Sequence, residues 1–293
     1  MRNKILISFW GPRHGQAGQT TNAVALATYM GVMYNIKTLI MHSQHEMSNM
    51  ESAYFEKIED LQSVLFDETG IDALERLAMT RQLTPANFSD YTKNLIEGRL
   101  DILIGTSKKT LASFESMSNS IQYILTCARQ KYDVTICDLS SGDSFEITEK
   151  ALKLSDIIVI NLNQNIELLK SYFEREETEA IKDKTKIILL GNYEMESLYN
   201  KKNILAFFSI KEQMYSIPRN VNFMDYYNNH EVIKFFMSNY DVGPDDKNFI
   251  FIKELNELSR YILKELKLDS KYVEKPIEYV SLFSSIKDIF KKR

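Results

Sequence analysis

Short apolar runs of strand length recur along the chain, at 4–10, 37–41, 101–104, 134–137, 157–160, 187–190 and 205–210. Between them lie segments with apolar residues at helical spacing, near 20–34, 85–97, 113–130, 146–154 and 166–177. Alternation of the two kinds predicts parallel strands joined by helical crossovers. The runs are almost unbroken by polar residues, as burial on both faces of a sheet requires. A longer helical pattern spans 247–268, with Phe251, Leu255, Leu258, Ile262 and Leu266 on one face. The fold class is therefore α/β, a single doubly wound domain with a mostly parallel sheet of about 7–8 strands.

Composition narrows this picture. Five prolines and ten glycines in 293 residues leave no room for a long flexible linker, which favours one domain. We divide the chain into a domain at 1–267, a polar linker at 268–276 and a C-terminal helix at 277–293. A net charge of −4 gives no general attraction to nucleic acid or to an anionic membrane. Any such binding needs a local patch. No apolar run approaches the roughly 20 residues of a membrane span, and no signal peptide precedes the first strand. Cys127 and Cys137 fall on an expected helix and an expected buried strand, and read as reduced core residues. A cytoplasmic protein is expected, at most peripheral at the inner face of the membrane.

The richest chemistry lies where the first apolar run ends. Gly11-Pro12-Arg13-His14-Gly15-Gln16-Ala17-Gly18-Gln19-Thr20-Thr21 joins a strand to a helix. A glycine-containing turn in that context cradles phosphate with backbone N–H groups and a helix N-terminus. The usual lysine is absent, and Gln19 stands in its place. Removing that charge costs roughly 2–4 kcal/mol of phosphate binding. Arg13 and His14 lie just upstream and could supply part of it. Three readings stay open: a weak site, a relic loop, or an unrelated strand–turn–helix.

The row from His14 to Thr21 resembles the deviant Walker A loop of the ParA/MinD family, Lys-Gly-Gly-x-Gly-Lys-Thr-Thr. Both family lysines are replaced, one by His14 and the phosphate-gripping one by Gln19. Lys131 to Gly142 resembles the family's Walker B and switch II, with Asp138 as the magnesium-side carboxylate and Gly142 as the γ-phosphate sensor. Ser155 to Ile160 resembles the next strand, and Ile187 to Asn192 the strand ending in the adenine-reading asparagine. Ile217-Pro218-Arg219-Asn220 resembles the Ile-Pro loop beside the base. After the second strand the family places aspartates, and this chain has His42-Ser43-Gln44-His45-Glu46.

The resemblance implies a P-loop NTPase fold of the SIMIBI type. It implies nucleotide contacts from Arg13, His14, Gly15, Gln16, Ala17, Gly18, Gln19, Thr20, Thr21, Gly142, Asn192, Ile217 and Pro218. Thr20 and Asp138 would hold a metal. ATP or ADP with Mg²⁺ would be held weakly or not at all, and the partner would be a second copy of the chain. Loss of the lysine together with the aspartates implies nearly abolished hydrolysis, because phosphoryl transfer depends on positioning and charge. Within the family, Gly70 to Leu74 and Gly98 to Gly105 are similar to segments of the CpaE/TadZ branch.

The end of the chain carries a second signal. Tyr279, Leu282, Phe283, Ile286, Ile289 and Phe290 fall on one helical face, with cations at Lys287, Lys291, Lys292 and Arg293. Leu282, Phe283, Ile286, Ile289, Phe290, Lys291 and Lys292 are the candidate docking residues. A membrane surface, a membrane-associated protein complex and this chain's own domain are each a possible acceptor.

Other constellations weigh less. His42 and His45 lack a third ligand for zinc. Lys108 and Lys109 face phosphate or solvent, and Lys201 and Lys202 read as a solvated turn. Arg260, Lys264, Lys267 and Lys271 could meet nucleic acid, but Glu254, Glu257 and Glu265 interleave with them. The leading expectation is a spatial regulator or scaffold that positions a membrane-associated machine. The rivals are a slow partition-type ATPase that binds DNA and a pseudo-ATPase interaction module.

Overall fold

The computed structural model describes residues 4–44, 48–56, 69–108, 110, 114–142, 145–175 and 178–277. Eight strands form one sheet in the order β3-β4-β2-β5-β1-β6-β7-β8. They are β1 Ile5–Trp10, β2 Thr38–Ser43, β3 Lys93–Ile96, β4 Leu100–Leu103, β5 Val134–Leu139, β6 Ile157–Leu162, β7 Thr185–Tyr193 and β8 Gln213–Pro218. All pairings are parallel except β3 with β4.

The helices are α1 Gln19–Met33, α2 Gly70–Met79, α3 Ser118–Lys131, α4 Glu146–Leu154, α5 Ile166–Phe173, α6 Lys201–Phe208, α7 Val221–Asn228, α8 Val232–Asn239, α9 Phe249–Glu265 and α10 Ser270–Val273. Asparagines start several of them. Asn165, Asn200 and Asn220 each accept a bond from a first-turn N–H of α5, α6 and α7.

The central strands alternate their side chains between two cores. Ile5, Ile7 and Phe9 of β1 join one core, which is closed by α1, α7, α8 and α9 and holds Phe223, Phe235, Phe236 and Phe251. Leu6 and Trp10 enter the other, closed by α2, α3, α4 and α5. Helix α1 is buried from Asn22 to Met33, as befits a helix wedged between the sheet and other helices. From β1 the chain winds outward to β2 and β4, returns to insert β5, and then winds the other way to β6, β7 and β8. Ligands of such sheets bind beyond the strands' carboxyl ends, where the winding reverses. The loop after β1 lies there.

Two expected elements are corrected. The apolar run 205–210 is not a strand: Leu205 to Phe208 end α6, and the eighth strand is β8. A short apolar run has the same composition in either state, so periodicity does not separate them. The helix expected at 85–97 is replaced by a 3₁₀ turn at Phe88–Tyr91 and strand β3. Asn87 fixes that turn by accepting from the Thr84 N–H and hydroxyl and donating to the Gln82 carbonyl.

Residues 268–276, read as a linker from their polarity, lie against the domain. Helix α10 falls among them, Glu274 bridges to Tyr34, and the Lys275 and Ile277 N–H groups donate to the Met33 and Val32 carbonyls. The docking residues named from Leu282 to Lys292 lie outside the described residues, as do His45, Glu46 and Lys109. Among the described residues no helix is long and apolar enough to cross a membrane.

Candidate phosphate site

The loop between β1 and α1 borders a pocket of about 340 Å³ lined by Arg13, His14, Gly15, Ala17, Gly18, Gln19, Thr20, Thr21, Gln44, Ser48, Asn49 and Ser141. Gly15 and Gly18 have left-handed backbones, with φ of 76° and 62°. Gly18 is the N-cap of α1 and has no side chain to take up the first N–H groups, so they remain for a ligand. The loop's back rests on neighbouring strands. Asn22 and Asn163 donate to the Ala17 and Gln16 carbonyls. At Gly191 of β7 a Cβ would come within 1.9 Å of the Ala17 oxygen, so only glycine allows this approach.

Below the loop sits Asp138, fully buried at the end of β5. Gln19 Nε2 donates to Asp138 Oδ1 at 2.6 Å and lies 2.6 Å and 3.2 Å from the Leu139 and Phe9 carbonyls. The Thr20 hydroxyl donates to Asp138 Oδ2 at 2.6 Å. Gln44 Nε2, just past β2, donates to the same Oδ2 at 2.6 Å and lies 3.3 Å from Thr20 Oγ1. Burial raises the Asp138 pKa, against the hydrogen bonds from Thr20 and Gln19, the charge on His42 and the bond from Gln44. All three donors to this carboxylate are neutral.

Beside the carboxylate lies a buried ion pair. His42 Nε2 is 2.9 Å from Glu51 Oε1, which also accepts the Gly105 N–H at 2.9 Å. A Cβ at Gly105 would fall 2.2 Å from the His42 ring, so the pair needs glycine there. Gly142 is fastened at both ends. Its N–H donates to the Gly11 carbonyl, and its own carbonyl accepts from Trp10 Nε1, each at 2.9 Å.

The expected residues are only partly gathered. Arg13, His14, Gly15 and Ala17 to Thr21 line the pocket, while Gln16 turns its carbonyl toward Asn163 and Asn192. Asn192, at φ 48°, packs against Gly18 rather than lining the cavity. Ile217 is buried in the core, and Pro218 ends β8 opposite Tyr193. Lys108 is committed to Glu75 rather than to the pocket. Gln44, Ser48, Asn49 and Ser141 enter without having been named as site residues. Of these, Gln44 was signalled by its place after β2, where the acids were missed.

The cradle fits a phosphate group, with open helix N–H groups and a glycine turn, though among the described residues Arg13 and His14 are the only basic ones in its lining. The fit to a magnesium ion fails. A cation needs lone pairs aimed at it, whereas Asp138 and Thr20 face amide hydrogens of Gln19 and Gln44. Thr20 and Asp138 meet through the Thr20 hydroxyl, with Gln19 and Gln44 as the other donors to the carboxylate.

This architecture has the fold of solved ParA and MinD structures. A ParA family ATPase from Chlorobium tepidum superposes with a TM-score of 0.67 at 12% identity, covering 88% of this chain and 98% of that one. The septum site-determining protein MinD of Pyrococcus horikoshii, complexed with Mg-ADP, gives 0.64 at 14% identity over 88% and 95%. A plasmid partition protein from Borrelia burgdorferi, bound to AMPPNP, gives 0.60 at 16% over 89% and 99%. No family model and no curated protein matches the sequence.

Proposed function

We propose that this chain is a ParA/MinD-like spatial regulator or scaffold that holds ATP or ADP weakly and hydrolyses it poorly or not at all. The observation that carries this reading is Gln19. Its neutral amide is spent on Asp138, Leu139 and Phe9, at the position where the fold's charged phosphate ligand belongs. The loop N–H groups and the start of α1 would receive the phosphates, with Arg13 and His14 at the mouth. Nucleotide then acts as a ligand that favours a dimer rather than as fuel. The residues from Leu282 to Lys292 would dock the protein on a membrane or on a membrane-associated complex of the pilus, secretion or division type.

Calorimetry with ATP and ADP on the full chain tests the pocket. Weak binding is expected in the wild type, and Gln19→Lys should tighten it by about 2–4 kcal/mol. An unchanged affinity in that variant means that another cation already serves the phosphates, as a slow ATPase relying on Arg13 would require. Co-sedimentation with anionic liposomes tests the tail. Deleting 278–293 should abolish it, and persistence of binding would remove the membrane from the proposal.

A further inference from the structure

We infer that this pocket takes its phosphorylated ligand without a divalent cation, the Gln44 side-chain amide standing where the cation would sit. The inference rests on the phosphate-pocket reading above and concerns which form of ligand that pocket accepts.

A carboxylate accepts only, so the Gln19 and Gln44 groups facing Asp138 are their NH₂ groups. Asp138 Oδ1 takes Gln19, and Oδ2 takes both Thr20 and Gln44, each at 2.6 Å. The Thr20 hydroxyl has given its hydrogen to Asp138. Its remaining acceptor capacity faces Gln44 Nε2 at 3.3 Å. A magnesium ion on Thr20 would have to compete with Gln44 for that oxygen. One nitrogen therefore contacts both prospective metal ligands and offers hydrogens to each.

The surroundings keep Gln44 there. It follows β2, whose register sets His42 beside Asp138 and Ser43 beside Leu139. The Gln44 N–H lies 3.3 Å from His42 Nδ1, which accepts it when the ring is neutral, and His42 is held in turn by Glu51. Ser140 Oγ donates to the Ser43 carbonyl and fastens the strand end from the other side. Gln44 is thus placed by β2, by β5 and by the buried ion pair. Among the described residues no cluster of three or more histidine, cysteine or acidic side chains offers an alternative cation site.

Two measurements on the full-length protein test this. The first uses Mn²⁺ alone, followed by electron paramagnetic resonance. The wild type should leave Mn²⁺ free, and Gln44→Asp should bind it at least about tenfold more tightly. Wild-type binding equal to that of the variant overturns the inference. So does absence of binding in both, because Gln44 is then not what excludes the ion. Gln44→Ala, which removes the amide without adding charge, serves if the aspartate variant does not fold, and it too should gain Mn²⁺ binding. The second is calorimetry with ADP in EDTA and in MgCl₂. Magnesium should leave the wild-type affinity unchanged or weaken it, since the ion sequesters the ligand. Tightening of about tenfold by magnesium overturns the inference. Absence of ADP binding in both buffers defeats the nucleotide reading instead, and the Mn²⁺ measurement still decides the cation.

Discussion

Glu51 directs one carboxylate oxygen at two donors, the His42 ring and the Gly105 N–H, inside a region closed to solvent. Burial alone would raise its pKa, but the charge and hydrogen bond of His42, with the Gly105 N–H, leave it lowered. Burial alone would lower that of His42, but Glu51 and, further off, Asp138 leave it raised. The lowered acid contributes stability above its ordinary value of 4.5, and the raised base contributes below its ordinary value of 6.5. The pair is therefore at full strength between those values. It weakens as pH falls through the folded-state value of Glu51 or rises through that of His42. Glu51→Gln should cost about 3–5 kcal/mol within that window. Thermal denaturation across pH should show the gap from wild type narrowing on either side; a gap independent of pH would remove the ion pair from the account. Asp138 behaves oppositely. Its pKa is raised, so its ionisation weakens the fold as pH rises through the folded value, and Asp138→Asn should remove that loss.

At the level of elements, β7 illustrates how closely the sheet carries the loop. Its Gly191 lets the Ala17 carbonyl rest directly on the strand. Gly191→Ala should displace the loop and destabilise the protein by about 1–3 kcal/mol, measurable by denaturant unfolding. Retained stability with intact phosphate binding would mean that the loop tolerates movement. The long, strongly patterned elements were legible from sequence. The expected strands near β1, β2, β4, β5, β6 and β7 and the helices near α1, α3, α4, α5 and α9 correspond to observed ones. The failures were local, at 205–210 and 85–97, where composition fits either state and a capping or turn residue decides. The site was legible along the loop, whose residues are contiguous. Gln44 was harder to read, because its partner Asp138 lies 94 positions away and only the pairing of β2 with β5 joins them.

For the molecule as a whole, the chain's only tryptophan gives a direct readout of the pocket. Trp10 is buried, its N–H holds Gly142, and Arg175 lies over its ring at 5.6 Å. Displacement of Gly142 by a bound ligand should change its fluorescence, and an unchanged spectrum at saturating nucleotide would show that Gly142 stays fastened. Stability of the body also depends on the final described segment. Val273 is buried, and Arg99 Nη1 donates to the Lys275 carbonyl at 2.6 Å. Truncation after 267 should therefore lower the melting temperature, with a loss of stability of about 1.5–3 kcal/mol, that of one buried apolar side chain.

That strap also sets a direction. Helix α1 begins at the phosphate loop and ends beside the strap, fifteen residues later, a rise of about 22 Å. The last described residues therefore lie at the end of α1 away from the pocket, where the Lys275 and Ile277 N–H groups donate to the Met33 and Val32 carbonyls.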